Sequence, residues 1–219
     1  MSPMSASALS ERLGGSDDMG RVLRPLAARL LEGQAIPIEE AARLLGCPAA
    51  EVEGRLSLLP AKVERDEEGR IVGFGLTLRP TRHVFVVDGR RLYTWCALDA
   101  LLFPILLDRE AQVMSPCVTT GVPVSMKITP KGIFDVTPPG AVLSIVTSRS
   151  DGCDLRESFC AHVNFFSSVE AAGARQDGST EVLPVAAGFR LAQELVQRSL
   201  EAVTRSAASC AVECADRSS

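Results

Sequence analysis

Residues 112–150, QVMSPCVTTGVPVSMKITPKGIFDVTPPGAVLSIVTSRS, are broken by proline or glycine so often that no ordinary helix fits between the breaks. Proline removes an amide donor and fixes φ, and glycine weakens any regular element. What survives between the breaks is short and rich in Val, Ile, Thr and Phe, which suits a pleated, half-buried surface. The middle of the chain must therefore be built of short strands joined by tight turns. RHVFVVDGRRLYTW, just before it, reads as a strand, an Asp88-Gly89 turn and a short returning strand.

Helical periodicity lies on either side. Val22, Leu23, Leu26, Leu30 and Leu31 form one apolar stripe. A helix from Ile38 to Leu45, a Gly46-Cys47-Pro48 turn and a helix from Ala49 to Leu58 follow, in the manner of a helix-turn-helix. VERDEEGRIVGFGLTL then predicts a hairpin turning at Glu67-Glu68-Gly69, like the wing of a winged helix. The chain closes with an amphipathic helix from about Ala187 to Val203. The fold class is α+β: a winged-helix-like helical module over residues 20–80, then a mixed β-sheet catalytic domain with flanking helices over 81–205. A leader (1–19) and a cysteine-containing tail (206–219) lie outside these two units.

Charge speaks against the obvious role for such a module. Residues 1–80 carry ten basic and twelve acidic side chains, and the second helix of the pair sets Glu51 and Glu53 against Arg55 alone. A groove-reading helix draws most of its affinity from cations on phosphates, so nucleic acid is not an expected partner. No apolar run is long enough to span a membrane, and MSPMSASALSERLGG lacks the basic start and apolar core of a secretory signal. The expected location is the cytoplasm, where an odd set of seven cysteines is not a disulfide framework.

RRLYTWCALDALLFP places Cys96 and Asp99 in an otherwise apolar run. Thr94 can cap the helix that follows, making Trp95 its first residue and Cys96 its second. A thiol in a first helical turn sits at the positive end of the dipole near free amide protons, which favours the thiolate. Asp99 shares that face among apolar neighbours, and desolvation raises a carboxyl pKa. Spacing alone also fits, and more simply, an ordinary helix-start aspartate with its side chain in water. DLRESFCAHVNFFSSVEAA predicts a strand with Phe159, Ala161, Val163 and Phe165 on one face and Cys160, His162 and Asn164 on the other. Cys160 is there either core filling or a second nucleophile, and His162 on the same face is either a structural histidine or a group that tunes the thiolate. With no C-x-x-C pair and only His83 and His162 as histidines, a four-ligand zinc site is not expected. Cys210 and Cys214, four apart, are a soft-metal clip or incidental residues.

Taken together, LYTWCALDALLFP, CVTTGVPVS and SFCAHVNFF resemble the alkylmercury (organomercurial) lyases, and EEGRIVGFGLTLRPTRHVF and the helix pair match the same family over residues 20–205. The resemblance implies protonolysis of the carbon–mercury bond of R–Hg⁺ to a hydrocarbon and Hg²⁺, in mercury resistance. It assigns Cys96 and Cys160 as catalytic cysteines, Asp99 as the catalytic aspartate, all three as transient mercury ligands, and Trp95 as a substrate contact. Cys117 is implied to be structural. Position 161 is alanine here where some relatives carry a further cysteine. No cofactor is implied beyond excess cytosolic thiol for product release. Mercuric reductase is implied as the acceptor of Hg²⁺. Cys210 and Cys214 lie outside the matched region and are a separate candidate for relaying Hg²⁺ away from the site. The alternative from the residues alone is a thiol-based mercury sensor or sequestering protein.

Overall fold

The computed structural model describes residues 6, 9, 19–57, 59, 62–147, 154–174 and 179–216, with side chains to residue 201. The leader falls almost wholly outside them, as do Cys153 and the side chains of Cys210 and Cys214. A π-helical turn (Met19–Leu23) runs into α1 (Arg24–Leu30), followed by α2 (Ile38–Leu45) and α3 (Ala49–Leu56). Gly46 ends α2 in the left-handed conformation, φ 61°, as a helix C-cap requires of a residue without Cβ. Ala41, Ala42, Leu45, Val52 and Leu56 are the buried face of the pair.

Eight strands form one sheet in the order β1-β2-β3-β5-β4-β6-β7-β8. They are β1 (Glu64–Arg65), β2 (Ile71–Phe74), β3 (Leu76–Thr77), β4 (His83–Val87), β5 (Arg90–Thr94), β6 (Ala111–Pro116), β7 (Pro123–Thr129) and β8 (Gly132–Thr137). The β1–β2 hairpin turns where Glu67 and Glu68 predict it, and Asp88 and Gly89 both take positive φ in a two-residue turn between β4 and β5. A second sheet orders β10 (Phe165–Phe166), β9 (Val142–Val146) and β11 (Thr180–Pro184). Every pairing among the described strands is antiparallel, so the sheet is not mixed in strand direction. Tight turns join β4 to β5 and β7 to β8, and β5 and β6, which are joined through a helix and run the same way, lie on either side of β4 and do not pair with each other.

Between β5 and β6 lies α4 (Ala97–Leu107), buried on nearly all sides through Leu98, Leu101, Leu102, Phe103 and Leu106. A helix apolar all round belongs in the core, and α4 packs against both α1 and the closing helix α7 (Val185–Asp216). The helical module and the sheet thus share one hydrophobic core. No helix among the described residues is long and apolar enough to cross a membrane.

Inside that core His83 is 1% exposed, with Nδ1 3.0 Å from Ser115 Oγ and its ring edge-on to Phe165. Burial, helped by the charge of Arg82, pushes its pKa down to about 3. The native state therefore refuses a proton that the unfolded chain accepts below its ordinary pKa of about 6.5. Relative to a His83→Gln variant, the wild-type protein should lose about 1.4 kcal/mol of stability per pH unit as pH falls from about 6 to 4. Urea unfolding of both proteins across that range measures the difference, which should be flat above pH 7.

Candidate active site

Pairing of β5 with both β3 and β4 keeps Thr94 extended, opposite Leu76 and His83. The helix therefore starts later than the threonine suggests. Cys96, not Thr94, is the capping residue: its backbone is extended and its own Sγ accepts from the Asp99 amide at 3.4 Å. Thr94 instead donates its hydroxyl to the Cys96 carbonyl at 3.1 Å. Asp99 is the third residue of α4, so the turn that caps the helix also sets its side chain beside the thiol.

The segment carrying Cys160 is not the predicted strand. Asp154 accepts from the Arg156 amide at 2.9 Å and starts α5 (Leu155–Ser158), which runs into a 3₁₀ turn, Cys160–His162. Only Phe165 and Phe166 join a sheet, and α6 (Val169–Gly173) follows them. An aspartate that satisfies free amides nucleates a turn more strongly than alternating hydrophobicity favours a strand. The consequence is that Cys160 is buried while Ala161 and His162 are exposed, so His162 does not share its face. The Ala97 amide, free at the start of α4, donates to the Val163 carbonyl at 3.0 Å and draws the two segments together.

One ligand atom each from Cys96, Asp99 and Cys160 lies within 4.8 Å of the other two. Cys96 and Cys160 are 1% and 5% exposed; Asp99 is half-buried, with Oδ2 4.0 Å from Cys160 Sγ. Burial raises the Asp99 pKa to about 6, against hydrogen bonds from Cys96 that favour its anion. Burial, the contact with Cys160 and the Asp99 charge push the Cys96 thiol well up, overriding the helix end, so the resting group is a thiol rather than the expected thiolate. For Cys160 the hydrogen bond from Cys96 favours the anion, but burial and Asp99 outweigh it and its pKa too is raised. Two neutral thiols beside a carboxyl poised near neutrality can exchange protons among themselves and close on a soft metal.

Gly75, at φ +72°, accepts from the Trp95 amide at 2.8 Å and lies over Asp99; a Cβ there would sit 3.1 Å from Phe103 and 3.5 Å from Asp99 Oδ1. Sequence reading passed over it, although a glycine inside a strand pattern is a signal for such close approach. Trp95 is buried, edge-on to Phe74, with the Arg156 guanidinium 4.8 Å above its ring. Arg156 and its partner Glu64 were also missed; they stand 92 positions apart and no local pattern joins them. Cys117 lies outside the trio, between β6 and β7, where hydroxyls and amides of Thr120 and Ser167 overcome burial and hold its pKa down to about 6. No group of three or more ligating side chains other than the trio occurs among the described residues.

A buried dithiol with an adjacent carboxyl is a site for soft-metal chemistry, and comparison narrows the class. The profile for "Alkylmercury lyase" matches residues 76–197, and that for "Helix-turn-helix domain of alkylmercury lyase" matches 5–75. An alkylmercury lyase of Staphylococcus epidermidis is 44% identical over 84% of this chain and 86% of the relative. One from Bacillus cereus is 48% identical over 72% of each, and one from Pseudomonas putida 41% over 84% and 86%. The crystal structure of the mercury-bound form of MerB2 superposes with a TM-score of 0.72 at 23% identity, covering 89% of this chain and 96% of that one, a match of fold. The chain belongs to the alkylmercury lyase family.

The raised carboxyl has a thermodynamic signature. Between the ordinary aspartate pKa and about 6, native protein holds a proton at Asp99 that the unfolded chain has lost, so this residue's contribution to stability is present below about pH 4 and lost as pH rises through 6. Relative to Asp99→Asn, wild type should lose on the order of 2 kcal/mol across that window. Denaturation of the two proteins at pH 4, 5 and 6.5 gives the sign.

Proposed function

We propose that the chain cleaves the carbon–mercury bond of organomercurials by protonolysis, with Cys96, Asp99 and Cys160 as the catalytic residues. The observation that carries this reading is the mutual approach of the two sulfurs and one carboxylate oxygen within 4.8 Å. One metal at roughly 2.3 Å from each of two sulfurs, by analogy with zinc–thiolate bonds, spans at most about 4.6 Å between them, the scale of this approach.

R–Hg⁺ first bonds to one sulfur, whose proton leaves to solvent. The second thiol passes its proton to Asp99, and the thiolate so formed donates its electron pair to mercury. The carbon–mercury pair then moves onto carbon, which takes the proton from Asp99 to give R–H. Hg²⁺ is left between two thiolates and Asp99 is again a carboxylate, with one proton released per turnover. A carboxyl with pKa about 6 suits this shuttle because it both accepts from a thiol and gives to carbon near neutral pH. Burial of both sulfurs and partial burial of Asp99 limit the water that can intercept the developing carbanion. Trp95, beside the first sulfur, is the substrate contact. Excess cytosolic thiol removes Hg²⁺, mercuric reductase is the downstream acceptor by family analogy, and the cytoplasm is the site of action.

Headspace methane from methylmercury in excess thiol tests the assignment. Cys96→Ser and Cys160→Ser should each lower turnover more than about a hundredfold, the scale of a lost acid–base or covalent group. Asp99→Ala should retain bound mercury yet yield scarcely any methane. Full turnover by any of the three sinks the catalytic assignment. Mercury bound by wild type without methane would favour sequestration.

A further inference from the structure

We propose that Glu64, a residue of the winged-helix-like module, is a positioning residue for the dithiol: through Arg156 it sets the separation of Cys96 and Cys160.

Glu64 lies on β1 with its side chain only 6% exposed. One carboxylate oxygen accepts from the Thr77 hydroxyl on β3, and the other accepts from the Arg156 guanidinium. Room for the carboxylate exists because residue 73 is glycine; any Cβ there would collide with Glu64 and with Thr77. Arg156 in turn stacks on Trp95 with its guanidinium carbon 4.8 Å from the ring centre, while Phe74 meets the same ring edge-on at 5.5 Å. The indole Nε1 is buried with no hydrogen-bond partner among the described residues, so no polar contact aligns the ring. Its ring contacts do.

The placement matters because of what is attached at each end. Trp95 directly precedes Cys96, and Arg156 stands four residues before Cys160. The guanidinium therefore clamps the two thiol-bearing segments to each other, and Glu64 holds the guanidinium. Chelation of one metal by two sulfurs tolerates little slack, and a misplacement of about 1 Å can cost a hundredfold in rate. The acidic character of the helical module, unsuited to phosphate, here supplies an anchor to the site. This inference extends the lyase reading, but its first test does not depend on turnover.

Phenylarsine oxide, which joins two neighbouring thiols with loss of water, measures the dithiol spacing directly, with Cys160→Ser as the baseline for other cysteines. Glu64→Gln keeps size and the Thr77 hydrogen bond while losing the charge. It should weaken dithiol-dependent arsenical binding at least tenfold and shift the emission of Trp95, the chain's single tryptophan. Arg156→Leu should reproduce both effects, and the double variant should be no worse than either single one. Methane turnover should fall in parallel through kcat, while capture of the organomercurial by one thiol persists. Binding within twofold of wild type in Glu64→Gln, or losses that multiply in the double variant, would overturn the proposal. If Glu64→Gln does not fold, Arg156→Leu, altered at a half-exposed guanidinium, decides by the same readouts. If wild type yields no methane, the lyase reading fails while the arsenical and fluorescence results still decide the clamp.

Discussion

The site depends on one backbone hydrogen bond, from the amide of Ala97 to the carbonyl of Val163. The first amides of a helix have no partner within it, and at the start of α4 one of them is satisfied by the segment that carries the second cysteine. A helix end is usually credited with lowering the pKa of a nearby thiol. Here its main effect is architectural, because it recruits a distant turn and buries both sulfurs. Burial then raises the thiol pKa values and that of Asp99 together, so the site stores its protons until a metal displaces them.

The core explains why this junction is rigid. Helix α4 is wrapped on one side by α1 and on another by α7, and its start is fixed by strands on both sides of Thr94. Phe103, fully buried one turn beyond Asp99, fills the space beneath Gly75. Truncating such a ring costs about 3–5 kcal/mol, and the loss would fall directly under the carboxyl. Packing and reactivity are thus properties of the same few residues.

Local chemistry made much of this legible. The helix pair around Gly46, the Glu67-Glu68-Gly69 turn and the Asp88-Gly89 hairpin are each dictated by residues within a few positions, and the structure has them where the residues place them. Cys96, Asp99 and Cys160 were named from a motif resemblance, and the fold brings them together. The conformation around Cys160 was misread because one capping aspartate outweighed an alternating pattern, and the start of α4 because sheet pairing claimed Thr94. The Glu64–Arg156 pair had no local signature, since it forms only after residues 92 positions apart meet.

The continuity of the large sheet has one more consequence. A wing that reads nucleic acid is a free hairpin; here β3 pairs with β5, so β1 and β2 form the sheet's own margin. Separating the two halves near residue 75 would strip β2 from β3, and the amides and carbonyls of Leu76 and Thr77 that face β2 would be left as a sheet edge open to another chain. The N-terminal half therefore also contributes the strands that finish this margin of the sheet.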